Sequence, residues 1–263
     1  MNRFFIFFLG VLSFLVGKIS LGASEDDSRK ITICATVPKA GTNLIRKALM
    51  LISGESVRWF GMKPVKNADP ENFFPASKQK IYITHLFPDM DVIRDLDPSK
   101  FAKVLMIRDP RDVMVSFTYH LASTKMWPFG KLQDKARFLK LPWDGQVREA
   151  LLFPPLSPKD TFPYAALWMQ DSTILVIRFE DLVGSKGGGS DIVQRQTLFA
   201  LANHIGCPLS WERIDEIASQ LFGGTGTFRS GQIGGYLKSY SPENEALYEE
   251  LLGQYTEALG YRN

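Results

Sequence analysis

Residues 31–52 decide the fold, and they read ITICATV (31–37), PKAGTN (38–43) and LIRKALMLI (44–52). The first part alternates apolar side chains and is rich in β-branched residues, a pattern typical of a strand. The last part repeats apolar residues at the spacing of one helical face. A tight turn with a lysine, a glycine and a threonine lies between them. The stretch therefore predicts a strand, a glycine-containing turn and a helix.

A turn of this kind suits an anionic group such as phosphate or sulfate. Free backbone N–H groups and the positive end of a helix dipole meet where the helix begins. Lys39 precedes Gly41 here, whereas the lysine of a Walker A loop follows the second glycine. The segment by itself leaves two interpretations open: an anion-binding cradle, or a structural turn whose lysine is merely solvated.

Length and charge bound the class of protein. The chain has 263 residues, enough for one α/β domain with a substantial core. It carries 31 basic and 28 acidic residues, for a net charge of +3, so it lacks the strong basic field typical of nucleic-acid partners. Any anion site must therefore be local. Cys34 and Cys207 lack the spacing of metal ligands, and we interpret both as buried thiols, with a disulfide between them as the alternative.

Residues 1–23 form a separate segment. Arg3 precedes an apolar run over 4–16, and Leu21-Gly22-Ala23 is similar to a small-residue cleavage site. The run is shorter than the roughly 20 residues of a membrane span and fits a secretory signal better. We therefore predict a signal peptide or N-terminal anchor at 1–23, a secretory-pathway location, and one domain at 24–263. An uncleaved anchor, and a misassigned start site that would make the protein cytoplasmic, stay open as alternatives.

Further strands and helices are predicted along the rest of the chain. Strands are predicted at 80–84, 103–107 and 174–179, and helices at 113–121, 161–170, 191–205 and 211–221, the last two with Asp191 and Ser210 as N-caps. Three segments are predicted to be irregular: 54–80, 127–159 as a lid or acceptor-side segment, and the glycine-rich 184–190 as a flexible connection. Strands that alternate with helices predict an α/β protein, a single P-loop-like domain whose central parallel sheet is flanked by helices on both faces.

Polar residues occur where these strands end. Lys39 follows the first strand, His85 the second and Arg108 the third, while Glu180 and Asp181 follow the fourth. Ligands of such sheets bind beyond the carboxyl ends of the strands. We therefore expect these side chains to share one site.

The same segments resemble those of the sulfotransferases that use 3′-phosphoadenylyl sulfate (PAPS). Residues 38–43 are similar to the PKSGTT loop that binds the 5′-phosphosulfate, and 84–86 to the KTHLP segment that holds the catalytic histidine. Residues 108–116 are similar to the RNPRDVAVS segment for the 3′-phosphate, 179–182 to YEDL, and 228–238 to FRKGxxGDWK. The resemblance follows one order from residue 31 to residue 261.

The resemblance implies a reaction and a set of residues. A sulfuryl group would pass in line from PAPS to a hydroxyl or amine of a small-molecule or glycan acceptor, without a metal, and leave 3′,5′-bisphosphoadenosine. The implied catalytic residues are Lys39, which would stabilise charge on the bridging oxygen, His85 as general base, and Ser116. The implied donor-binding residues are Lys39, Ala40, Gly41, Thr42, Asn43, Arg108, Ser116, Phe179, Arg229, Ser230 and Gly231.

Several nearby residues have a plainer interpretation. His120 and His204 lie within predicted helices, and for both a structural role is favoured. Arg111 and Asp112 form either a local surface pair or part of the ligand site. Three aromatic residues either line the acceptor pocket or simply pack: Trp127, Phe129 and Trp143.

The chain also departs from the family pattern. Ile83 stands in place of the lysine of KTHLP, Ser230 in place of the lysine of FRKG, and Leu44 where a tryptophan often packs against the donor. Phe179 keeps a ring for adenine without the tyrosine hydroxyl. A PAPS-dependent sulfotransferase is the preferred function. The alternatives are a P-loop nucleotide or sugar kinase, for which a Walker A loop is missing, and a non-catalytic nucleotide-binding effector with a degenerate site.

Overall fold

The computed structural model describes residues 29–60, 74, 80–86, 91–124, 132–153, 157–225 and 229–262. Its strands are β1 (Ile31–Thr36), β2 (Arg58–Trp59), β3 (Ile81–His85), β4 (Phe101–Ile107) and β5 (Ile174–Arg178). Its α-helices are α1 (Thr42–Ser53), α2 (Asp91–Arg94), α3 (Pro110–Ser123), α4 (Leu132–Lys140), α5 (Trp143–Leu151), α6 (Phe162–Trp168), α7 (Phe179–Leu182), α8 (Asp191–His204), α9 (Trp211–Leu221) and α10 (Pro242–Ala258).

The strands form one parallel sheet in the order β2-β3-β1-β4-β5. Thr36 at the end of β1 pairs with His85 on one side and with Met106 on the other. The carboxyl ends of these three strands therefore lie side by side, so the residues that follow them meet at one edge. The predicted α/β fold with a central parallel sheet is confirmed.

Helices flank the sheet in two groups. Helices α1, α8 and α9 pack against one another, and α3, α4, α5, α6 and α10 form the other group. All seven residues of β4 are buried, as expected of a strand covered on both faces. One of them is Lys103, whose ammonium group bonds to the Arg94 carbonyl and lies 3.3 Å from the Asp171 carboxylate. The buried charge of Lys103 is thus compensated by hydrogen-bonding and charged partners.

Two of the segments predicted to be irregular contain regular structure. The edge strand β2 lies within 54–80, and it was missed because two residues carry no periodicity. Helices α4 and α5 lie within 127–159, where the prediction of an irregular segment is wrong. Helix α5 buries only Val147, Ala150 and Leu151, and so small an apolar face among prolines and aromatics gave a weak helical signal.

The glycine-rich segment 184–190 is held by the rest of the chain, so the expectation of a flexible connection is wrong. The Gly187 carbonyl accepts a hydrogen bond from the Ile233 N–H at 3.0 Å. The N-cap of α8 is Ser190, not Asp191, since the Ser190 hydroxyl accepts from the Val193 N–H. Asp191 instead accepts from the N–H and hydroxyl of Ser185. Ser210 caps α9 as predicted.

Both cysteines are free thiols. Cys34 is fully buried in β1, and burial raises the pKa of its thiol. Cys207 is half-buried and accepts a hydrogen bond from Arg29 at 3.3 Å. The predicted leader 1–23, Trp127 and Phe129 lie outside the described residues. No helix in the described part of the chain combines the length and the apolar character that crossing a membrane requires.

Candidate active site

The turn after β1 has an unusual backbone conformation. Lys39 has φ 71° and is the single non-glycine residue with positive φ in the described ranges. This left-handed conformation costs an L-residue roughly 1 to 2 kcal/mol. Hydrogen bonds at 3.0 Å hold the turn, from the Val37 N–H to the Met106 carbonyl and from the Ala40 N–H to the Val37 carbonyl. Strain kept at one lysine by its surroundings is typical of a functional position.

Gly41 completes the turn, and no other residue fits there. Its φ is 106°, and an added Cβ would lie 2.8 Å from a ring carbon of Phe179. The Gly41 carbonyl then accepts the Leu44 N–H at 2.8 Å and so starts α1. No side chain among the described residues caps this helix. Its first N–H groups and its dipole therefore face the cavity beyond the sheet as an anion site.

Lys39 supplies the positive charge of this turn. It lines the cavity and forms no ion pair with another described residue. Burial, together with the nearby charge of Arg229, lowers its pKa to about 8. The fold thus holds two cations close together at an energetic cost, which a bound anion would relieve.

His85 ends β3 beside this turn. Its Nδ1 lies 3.0 Å from the hydroxyl of Thr36, and its ring meets Trp59 edge-on with centroids 4.8 Å apart. Burial, and then the charge of Lys39, lowers the pKa of His85 to about 4. The imidazole is therefore neutral at pH 7, which is the state in which a histidine can accept a proton.

His120 is a second histidine of the same cavity wall. The sequence favours a structural role for it within α3; the residue lies on α3 as predicted, and its side chain is exposed at the cavity. Burial in the wall and the charge of Lys39 lower its pKa to about 4. His204, by contrast, lies away from the cavity and bonds to the Lys103 carbonyl at 2.9 Å.

Arg108 follows β4 and lies over the ring of Phe179, its Cζ 4.1 Å from the ring centroid. Its Nη2 donates to Asp112 at 3.1 Å and to the Gln232 carbonyl at 2.7 Å. The buried Nε has no partner among the described residues. Because an unpaired buried donor is costly, this nitrogen points to a ligand that accepts from Arg108.

Asp112 ties α3 to the far end of the chain. Its side chain is 1% exposed, and its two oxygens accept from the N–H groups of Gly234 and Tyr236 at 2.9 and 3.0 Å. Arg111 pairs instead with Asp109, with 2.6 Å between Nη2 and Oδ2. Arg111 and Asp112 are therefore not a surface pair; each belongs to a different, more buried ion pair.

The glycine-rich segment 184–190 packs against residues 229–231. An added Cβ on Gly187 would lie 2.6 Å from the carbonyl oxygen of Gly231, so only a glycine allows this approach. Arg229 lies with its Cζ 3.8 Å from the centroid of the Tyr119 ring. Contacts from 184–190 and from Asp112 thus bring the C-terminal residues of the predicted site to the end of β4.

Residues after β5 support the same turn. The carboxylate of Glu180 accepts from the Asp109 N–H at 3.1 Å and from the Tyr261 hydroxyl at 2.8 Å. Burial raises the pKa of Glu180. The segment similar to YEDL therefore fixes the backbone directly after Arg108, while Phe179 packs under the Arg108 guanidinium.

One cavity of about 1140 Å³ joins these elements. Ten of the eleven predicted donor-binding residues, together with His85, line it. Ala40 does not, because it is buried and its N–H is used within the turn. Trp143 also lies outside the lining and packs against Tyr119, with ring centroids 4.3 Å apart and the rings tilted by 35°. The described lining carries five basic side chains against one carboxylate: Lys39, Arg46, Arg108, Lys159 and Arg229 against Asp160.

Among the lining residues that the sequence analysis did not assign to the site, Trp59 and His120 lie close to His85. The signal that could have found His120 is its position one helical turn after Ser116, since residues four apart share a helix face. For Trp59 no such signal exists, because a two-residue edge strand has no period.

Comparison with solved structures assigns the fold. Mouse sulfotransferase SULT7A1, solved in complex with PAP, aligns with a TM-score of 0.61 and 14% identity over 87% of this chain and 85% of that chain. Retinol dehydratase, solved in complex with androsterone and the inactive cofactor PAP, aligns with a TM-score of 0.59 and 15% identity over 88% and 82%. No family model and no curated protein matches the sequence. The chain has the sulfotransferase fold.

Proposed function

We propose that this protein is a PAPS-dependent sulfotransferase that acts on a hydroxyl or amine of a small-molecule or glycan acceptor. The observation that carries the proposal is the meeting of Lys39, His85 and Arg108 around one cavity at the carboxyl edge of the sheet. The two aligned structures hold PAP, the bisphosphate that remains when PAPS has given up its sulfuryl group. This agreement between fold and site chemistry supports the proposal.

The residues present fit such a donor at both of its charged ends. The turn at Lys39 and the uncapped start of α1 suit the 5′ end. Arg108 suits the 3′-phosphate, because its unpartnered Nε is a donor without an acceptor and arginine forms strong charge-assisted bonds to phosphate. Ser116, Arg229 and Gly231 line the same cavity.

The chemistry follows from the protonation states of the protein groups. PAPS, when bound, supplies an activated sulfuryl group. Neutral His85 takes the proton of the acceptor hydroxyl or amine as that atom becomes the nucleophile. Lys39, protonated below pH 8, and the first N–H groups of α1 stabilise negative charge that develops on the 5′ side.

Ile83 is the departure that bears most on catalysis. It is fully buried, so β3 offers no second cation at the position where the family has lysine. Arg229 lies close enough to Lys39 to lower its pKa and brings a second positive charge to the turn. A binding protein without turnover would share all of the donor-site features, so the test must measure transfer.

The decisive experiment incubates the full chain with PAPS and a panel of phenols, alcohols and amines. Released 3′,5′-bisphosphate and the mass gain of the acceptor are both measured. His85→Ala should lower turnover by about 10² to 10⁴ with little change in bisphosphate affinity. His204→Ala is the matched control, because His204 lies outside the cavity, and it should retain turnover.

One outcome would contradict the proposed function, and another would contradict only the role given to His85. Tight bisphosphate binding with no release on any acceptor would favour the nucleotide-binding effector. Equal turnover of wild type and His85→Ala would remove His85 as the base.

A further inference from the structure

The hydroxyl of Thr36 joins the anion-binding turn to His85. Thr36 is fully buried at the end of β1. Its Oγ1 lies 3.2 Å from the Thr84 carbonyl oxygen, 2.9 Å from the Thr42 hydroxyl and 3.0 Å from Nδ1 of His85. One oxygen atom thus contacts the backbone of β3, the first residue of α1 and the candidate base.

The hydrogen positions of this cluster follow from valence. A hydroxyl has one proton to donate and two lone pairs with which to accept. A carbonyl oxygen only accepts, so the proton of Thr36 is used on Thr84. With that proton on Thr84, Thr36 accepts in the other two contacts, an arrangement in which the Thr42 hydroxyl donates and Nδ1 of His85 carries a hydrogen.

We propose that Thr36 is a positioning residue that holds His85 as the Nδ1–H tautomer, so that Nε2 is the nitrogen that accepts the acceptor's proton. A neutral imidazole has one N–H, and placing it on Nδ1 leaves the lone pair on Nε2. The choice of tautomer rests on geometry alone. Its catalytic meaning rests on the proposed sulfotransferase function.

The surroundings of His85 keep the ring in its neutral form. Lys39 faces it from the turn after β1 and His120 from α3. Burial, and then the charge of Lys39, lower the pKa of His85 to about 4, although a hydrogen bond to the Thr36 backbone raises it. Trp59 contacts the ring from the edge strand. With the ring neutral at working pH, the hydrogen bond to Thr36 selects between two tautomers rather than between two charge states.

The test combines a spectroscopic readout with kinetics on the full chain. Nitrogen-15 NMR of the ring nitrogens distinguishes the tautomers. The chain has only three histidines, and the signals that disappear in His85→Gln are those of His85. Wild type should show Nδ1–H at His85. Thr36→Val removes the hydroxyl and should move the signals towards Nε2–H, while Thr36→Ser should restore the wild-type pattern.

The kinetic arm follows kcat with PAPS. One neutral hydrogen bond corresponds to a change of about 3- to 10-fold, so Thr36→Val should lower kcat by that factor and Thr36→Ser should recover it. Thr32→Val is the matched control, because Thr32 is also buried on β1, four residues from Thr36 and on the same face of the strand. This variant should keep the wild-type tautomer of His85 and the wild-type kcat.

The outcomes separate this inference from the proposed function. An Nε2–H signal at His85 in wild type overturns the inference, as does a Thr36→Val protein that keeps both the Nδ1–H signal and full kcat. If Thr36→Val does not fold, the inference is tested by whether the wild-type and Thr36→Ser spectra both show Nδ1–H at His85. The expected spectra without transfer to any acceptor would leave the inference standing and overturn the sulfotransferase function.

Discussion

Replacing Lys39 with methionine should stabilise the fold while removing function. Methionine keeps most of the length of the lysine side chain and lacks its charge. Lys39 has a pKa lowered from 10.5 to about 8 by burial and by Arg229, so its charged form is disfavoured in the folded protein. At 1.36 kcal/mol per pKa unit, a shift from 10.5 to about 8 corresponds to roughly 3 to 4 kcal/mol of lost stability at pH 7, which Lys39→Met recovers.

The gain should depend on pH with a defined sign. Below pH 8, Lys39 is protonated in both the folded and the unfolded wild type, and the penalty is complete. Between pH 8 and 10.5 the unfolded chain holds a proton that the folded protein has lost, so wild-type stability rises with pH. The advantage of Lys39→Met should therefore shrink over this range and vanish above it.

Urea unfolding at pH 7 and at pH 10 measures the effect, with Lys186→Met as the control because Lys186 is exposed. Turnover with PAPS should fall at least about 10²-fold, as for the loss of one transition-state charge contact. No gain at pH 7, or an equal gain at both pH values, would refute the reasoning that Lys39 is held as a strained, desolvated cation.

Three further predictions follow from the same site. The plot of kcat/KM against pH should be bell-shaped, with an acid limb near 4 from His85 and an alkaline limb near 8 from Lys39; limbs elsewhere would reassign these groups. Arg108→Ala should reduce the preference for 3′,5′-bisphosphate over 5′-AMP about 10- to 100-fold by calorimetry, whereas Arg111→Ala should leave that ratio unchanged. Asp112→Ala should lower the free energy of unfolding by about 3 to 5 kcal/mol, since it removes the ion-pair partner of Arg108 and the acceptor of the Gly234 and Tyr236 N–H groups; a urea midpoint near wild type would contradict this role.

The features that the sequence by itself determined are those set by local sequence patterns. The alternation of 31–37 predicted β1, the turn chemistry of 38–43 predicted the cradle, and the apolar spacing of 44–52 predicted α1. These features depend on neighbours within a few residues. The placement of His85 and Arg108 beside the cradle also followed, because parallel strands bring their carboxyl ends to one edge.

Tertiary structure decided what depends on residues distant in sequence. Thr36 and His85 are 49 positions apart, and Asp112 and Gly234 are 122 apart, so no local pattern indicates either contact. His120 became a residue of the cavity only when α3 was placed against the sheet edge. Burial then moved the pKa values of Lys39 and His85, and burial is a property of the packed chain, since the same side chains in an extended chain are solvated.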